Sequence, residues 1–268
     1  MLTGPPGPRP RLRVAILSTN RAPGLDYLLE RDREHGRSWE LVAFVATDPA
    51  NRDLARAVSA GVPTATPDIR AFYATAGARP GDLATRRDFD HHTAALLEDV
   101  HADLVVACGY LHILTAPPLE AYPSRIINIH DSDLPSYPGL HAVRDAVFAG
   151  EGETRSTVHL VTTEVDGGAP LVRSWAFPTH PLVTDARRWS ATDILKAYAY
   201  AQREWMMRAA WGRLLAEAIA LFAAGAVDVV GNLALVAGMP GPRTLASEET
   251  AVPFEAAVAG GDRWNTSG

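Results

Sequence analysis

Asn128, His130 and Asp166 are the residues whose types and spacing could carry chemistry. Asn128 and His130 stand at i and i+2 in an otherwise apolar run with Ile126, Ile127 and Ile129. On a strand the amide and the imidazole therefore leave from one face. Asp166 lies in Val165-Asp166-Gly167-Gly168, where glycine permits a bend that a larger residue resists. An amide N–H and an imidazolium can stabilise a developing oxyanion. A nearby carboxylate can hold the imidazole charged and pass a proton through water. The set points to acyl-type transfer with no serine or cysteine nucleophile. The incoming group would be the substrate's own nucleophile, such as an amine. Taken singly, the residues have plainer roles: His130 caps a strand end, and Asp166 is a turn aspartate bonded to its own backbone.

The elements that must position this set alternate between strand and helix. Apolar runs predict strands at 11–17, 40–47, 62–66, 103–108, 125–130, 157–161 and 171–177, with one or two more within 227–236. Helical spacing predicts helices from Leu25, over 51–60, 86–100 and 143–149, and a long one over 191–223. Residues 67–84 give no clear pattern. The alternation predicts an α/β fold, a mostly parallel twisted sheet with helices on both faces and a long C-terminal helix. A strand ending at His130 and running into Asp131, Ser132, Asp133, Pro135, Pro138 and Gly139 suits a ligand crevice at a sheet edge. The Pro/Gly-rich residues 1–10 are expected as a disordered tail, 11–237 as one domain and 238–268 as a C-terminal tail.

Composition narrows the class. A net charge of −6 and the absence of a lysine or arginine run argue against a nucleic-acid surface. Cys108 is the only cysteine, which rules out an intrachain disulfide and a cysteine-rich metal site. No metal site is expected, and the neighbours His91 and His92 do not share a helix face. No stretch offers the ~20 apolar residues that span a bilayer. The N-terminus has no apolar core of a signal peptide, so a cytoplasmic protein is expected.

Four motifs together resemble the folate-dependent formyltransferases: Asn128-Ile129-His130, the run Leu134-Pro135-Ser136-Tyr137-Pro138-Gly139-Leu140-His141, Ser156-Thr157-Val158-His159-Leu160-Val161, and Val165-Asp166-Gly167-Gly168. The resemblance covers about residues 11–215. Tyr137 to His141 favours the branch acting on phosphoribosylglycinamide. It implies a Rossmann-like fold and formyl transfer from 10-formyltetrahydrofolate to an amine, a small-molecule substrate, through a tetrahedral intermediate. It gives Asn128, His130 and Asp166 the catalytic places and sets His141 behind Asp166. It assigns Leu111, His112, Ile113 and Leu114 to the segment that wraps the pterin, and Thr163, Glu164 and Val165 to the loop that closes the pocket. His112 stands where the family commonly has arginine. A monomer or homodimer, with no nucleic-acid or membrane partner, is expected.

The acceptor half matches less well. The family's Gly-Ser-Asn phosphate turn is replaced by Ser18-Thr19-Asn20-Arg21, so Asn20 and Arg21 are the candidates there. Arg86 aligns with a phosphate-contacting arginine. Gln202, with Glu204 two residues on, falls where the family has an amine-holding glutamate. Asp131 and Asp133 add negative charge after His130, which favours a cationic amine over a phosphorylated one. Alternatives are therefore an unphosphorylated amine, hydrolysis of the formyl donor, or a folate-binding protein without turnover.

Overall fold

The computed structural model describes residues 11–34, 38–231, 233–248 and 252–259. The chain runs through β1 (Leu12–Ser18), α1 (Leu25–Arg33), β2 (Trp39–Ala46), α2 (Leu54–Ser59), β3 (Thr64–Ala65), α3 (Ile69–Thr75), α4 (Leu83–Asp99), β4 (Leu104–Ala107), α5 (Ala116–Ala121) and β5 (Ile126–His130). It continues through α6 (Ala142–Ala149), β6 (Glu153–Thr154), β7 (Thr157–Leu160), β8 (Pro170–Arg173), β9 (Phe177–Pro178), α7 (Leu182–Arg188) and α8 (Thr192–Met206). A π-helical stretch, Met207–Trp211, leads without a break into α9 (Gly212–Ala223). Then come β10 (Val227–Val230), β11 (Leu233–Val236), β12 (Met239–Pro240), β13 (Arg243–Thr244) and α10 (Phe254–Ala259).

The main sheet has the order β13-β8-β7-β5-β4-β1-β2-β3. From β3 to β5 every pairing is parallel. β7 is antiparallel to both β5 and β8, and β13 is parallel to β8. Chain direction across the sheet reverses at β1, which lies between β2 and β4, and this opens a crevice beyond the strand ends. Alternate residues feed two cores. Val14 and Ile16 pack with Leu25, Leu28 and the helical run from α8 to α9, whereas Ala15 and Leu17 pack with Leu97 of α4 and Tyr122. The turn after β1 lies directly on the long helix. Gly24, at φ +92°, leaves no room for a Cβ, which would meet Gly212 N at 2.6 Å.

The expected architecture is present, with local differences. The stretch 67–84 holds α3, whose N-terminal N–H groups at Arg70 and Ala71 are accepted by the Asp68 side chain. α4 starts at Leu83 instead of Arg86 because Asp82 caps Thr85 N–H. The strand expected over 171–177 breaks after Arg173. There the Ser174 hydroxyl accepts from Ser156 N–H and donates to Trp175 O, so a side chain interrupts the ladder. The described part of 238–268 is not a loose tail: β13 pairs with β8, and Phe254 of α10 stacks on Tyr198 of α8. Residues 1–10 lie outside the described residues. No helix among the described residues is long and apolar enough to cross a membrane.

Candidate active site

Beyond the C-terminal ends of β4 and β5 lies a cavity of about 710 Å³. Asn128 and His130 leave β5 on one face and line it, and His159 of β7 is the cross-strand partner of Asn128. The loop after β7 brings Asp166 back to the same cavity. Asp166 has φ +52°, a left-handed conformation that aspartate tolerates better than most residues. Its carboxylate reaches across the site. Oδ2 accepts from Gly139 N–H at 2.7 Å and lies 3.4 Å from His130 Nδ1, and Oδ1 lies 3.5 Å from His159 Nε2.

The hydrogen-bond partners assign the ring protons. His159 Nδ1–H donates to Leu160 O at 2.8 Å, so Nε2 accepts from the Asn128 amide at 3.3 Å when the ring is neutral and donates to Asp166 Oδ1 when it is charged. That fixes the amide and leaves its second N–H for a ligand. His130 Nε2–H donates to Tyr137 O at 2.9 Å, which turns Nδ1 towards Asp166. Burial alone would push the Asp166 carboxyl up. The His159 hydrogen bond, the charge of His130 and the Gly139 N–H outweigh it, and the carboxyl titrates below the ordinary aspartate range.

His159 is the member missed from sequence. Its signal was present, an imidazole in the strand-forming run Ser156 to Val161, but its importance depends on the β5–β7 register. His141 lines the cavity as an exposed residue at the start of α6, and Gly139, not His141, makes the contact to Asp166.

The residues expected to hold the donor gather along one wall. Leu111, His112, Ile113 and Leu114 face Thr163, Glu164 and Val165 across the cavity. Leu111, Ile113 and Val165 are exposed apolar side chains. His112 packs edge-on against Tyr110, and its Nε2 is buried with no partner among the described residues. Burial and then the charges of Arg86 and Arg70 push its pKa down to about 4.

The acceptor candidates are not brought together. Arg21 and Glu204 form an ion pair at 2.8 Å and line a second cavity of about 810 Å³. Asn20 is exposed on the turn before Arg21. Arg86 is 4% exposed and bonded to Tyr110 and Asp90, behind the donor wall. Gln202 is fully buried, donating to Thr154 Oγ1, Phe177 O and Pro178 O. The expected negative field after His130 is absent as well. Asp131 is buried and paired with Arg203 at 2.7 Å, and Asp133 pairs with Arg173 at 2.6 Å. Both charges are compensated, so they give no preference for a cationic amine.

Residues 12–179 match the family described as formyl transferase. The chain is 35% identical over 163 residues to a phosphoribosylglycinamide formyltransferase of Escherichia coli, covering 61% of this chain and 72% of that one. It is 34% identical over 173 residues to the trifunctional purine biosynthetic protein adenosine-3 of Drosophila melanogaster, covering 64% of this chain. It spans only 12% of the length of that trifunctional relative. Among solved structures, glycinamide ribonucleotide transformylase 1 from Symbiobacterium toebii superposes with a TM-score of 0.65 at 30% identity, over 84% of this chain and 94% of that one. A formyltetrahydrofolate deformylase from Burkholderia mallei shares the fold, with a TM-score of 0.62 at 22% identity, over 84% and 70% of the two chains.

Proposed function

The chain belongs to the formyl transferase family, and from that premise we propose that it moves a formyl group from 10-formyltetrahydrofolate to the primary amine of phosphoribosylglycinamide, a step of purine synthesis. Residues 11–237 carry the activity. The protein acts on small molecules in the cytoplasm as a monomer or homodimer. One observation carries the reading: an amide, two imidazoles and a carboxylate meet at one cavity whose adjoining wall is apolar and exposed.

That wall fits the donor. Leu111, Ile113 and Val165 present apolar surface to a flat heteroaromatic group, and the buried Nε2 of His112 offers it a polar partner. When bound, the donor supplies an electrophilic formyl carbon and, in its N10, the atom that departs. The free N–H of Asn128 and the Nδ1–H of a charged His130 stabilise the negative charge that grows on the formyl oxygen. Asp166 Oδ2 lies 3.4 Å from that Nδ1 and offsets the positive charge of the ring. Through a water it accepts the proton that the attacking amine loses and returns it to the departing nitrogen. The proton taken from the acceptor equals the one delivered to tetrahydrofolate, so the residues end as they began.

The test is tetrahydrofolate release, followed by absorbance, with phosphoribosylglycinamide, with no acceptor, and with Asp166→Asn. Turnover that requires the acceptor is expected, falling at least ~10²-fold in the variant while donor binding survives. Near-wild-type turnover in Asp166→Asn would remove Asp166 from the mechanism. Release without acceptor would point to hydrolysis, and bound donor with no turnover on any amine would point to a binding protein.

A further inference from the structure

The catalytic cavity is also lined by Arg144 of α6 and by Lys196, Tyr200 and Arg203 of α8. Arg144 and Lys196 are exposed and paired with aspartates on their own helices, at 3.0 and 3.6 Å. Arg203 is held differently. Its Nε–H donates to Asp131 Oδ2 at 2.7 Å, and Asp131 Oδ1 accepts from Trp211 Nε1–H at 2.8 Å and Ser156 Oγ–H at 3.5 Å. Asp131 is 6% exposed, so the anchor is itself a buried, satisfied carboxylate. The side chain of Arg203 is 36% exposed, and no acceptor among the described residues takes a hydrogen bond from its two terminal nitrogens.

The π-helical stretch makes this anchor possible. At about 100° per residue, positions eight apart on an uninterrupted α-helix stand about 80° out of line. The wider π turn advances roughly 80° per residue, and four such steps bring Trp211 back into line with Arg203. One carboxylate then receives both donors, and the guanidinium is fixed at Nε and open at its fork.

We propose that Arg203, positioned by Asp131 and Trp211, binds the anionic group of the acceptor, a phosphate or carboxylate, and so sets the acceptor class as an anionic primary amine. The proposal deepens the formyl-transfer reading and rests on it. A fork of two N–H donors matches a planar carboxylate or a phosphate edge. Arg21, expected from the sequence to take this role, is occupied by Glu204 and lines the other cavity. The donor is the other source of carboxylates, so donor and acceptor binding are measured separately.

Arg203→Gln and Arg203→Lys are compared with wild type, using phosphoribosylglycinamide and its phosphate-free counterpart glycinamide as acceptors. Arg203→Lys keeps a cation beside Asp131 and controls for folding. Arg203→Gln is expected to raise the KM of phosphoribosylglycinamide at least ~30-fold and to leave the Kd of 10-formyltetrahydrofolate unchanged. The lysine variant is expected to recover part of the loss, and the KM of glycinamide, which has no anionic group, to change far less. Calorimetry with inorganic phosphate is expected to show binding to wild type and none to Arg203→Gln. An unchanged acceptor KM, or a weakened donor Kd in its place, overturns the proposal. If no amine is formylated at all, the function reading falls. Phosphate binding then still decides Arg203: equal titrations of wild type and Arg203→Gln overturn its role, and binding lost in the variant sustains it as an anion site.

Discussion

Replacing His159 by leucine tests the coupling at the heart of the site. His159 is buried and serves two partners with one nitrogen: Nε2 accepts from the Asn128 amide at 3.3 Å in the neutral ring and donates to Asp166 Oδ1 at 3.5 Å in the charged ring. The first is a neutral hydrogen bond worth about 1 kcal/mol, and the second is a charge-assisted contact worth about 2 kcal/mol. Only one of the two is made at a time, so the loss raises the barrier by about 1–2 kcal/mol, or roughly tenfold in kcat. The hydrogen bond from His159 also helps to hold the Asp166 carboxyl below its ordinary range. Without it the carboxyl stays protonated to higher pH, so the acid limb of the pH–rate profile moves up. His159→Gln restores an acceptor for Asn128 without a ring and is expected to recover part of kcat but not the acid limb. The assay is tetrahydrofolate release across pH, with donor Kd measured alongside. Wild-type kcat in the leucine variant, with an unmoved acid limb, would refute the coupling.

Glu204→Ala separates a structural role from an acceptor role. Removing one member of a buried ion pair is costly, but Arg21 is nearly a third exposed, so a loss of about 2 kcal/mol in urea unfolding with an unchanged acceptor KM is expected. A raised KM would return Glu204 to the acceptor site. His112 is the pH-sensitive group of the donor wall. Its folded pKa of about 4 lies below the unfolded value of 6.5, so the unfolded chain takes up the proton first as pH falls. The stability of the neutral ring is complete above about pH 6.5 and is lost as pH drops towards 4. After discounting for the ring's partial exposure the loss is about 1 kcal/mol, and His112→Asn is expected to flatten the difference in urea midpoint between pH 7 and pH 5. An unchanged pH dependence in that variant would show that the ring is not held neutral.

The strands of the sheet were legible because their side chains alternate between two cores, and a buried parallel strand such as Leu104–Ala107 has no polar position to confuse the pattern. The short helices α5 and α7 were not. The first opens Ala116-Pro117-Pro118 after a threonine that makes no side-chain cap, and the second has only two buried residues, Val183 and Ala186. β13 was illegible for another reason. A two-residue strand acquires its meaning from the exposed edge of β8, some seventy positions earlier in the chain. The residues expected to hold the donor line one cavity together because they come in contiguous runs, Leu111 to Leu114 and Thr163 to Val165, each carried by one loop.

The acceptor half depends on helix phase, and phase is where sequence reasoning fails here. Gln202, Arg203 and Glu204 are consecutive, and at about 100° apart they point to three different places. Gln202 goes to the buried Thr154, Phe177 and Pro178, Arg203 to Asp131 at the catalytic cavity, and Glu204 to Arg21 at the second cavity. Aligning a functional glutamate to this helix with an error of one residue therefore assigns it to the wrong cavity. The π-helical stretch compounds the problem, because Met207–Trp211 has no proline or glycine to mark it. Trp211 is an ordinary core residue by periodicity, yet its indole N–H completes the shell of Asp131. Asp131 in turn read as uncompensated negative charge beside the site, and a charge whose partners lie seventy-two and eighty positions away cannot be judged from its neighbours in sequence. The sign of the field beside His130 is set by that long-range pairing and not by the count of carboxylates in the loop.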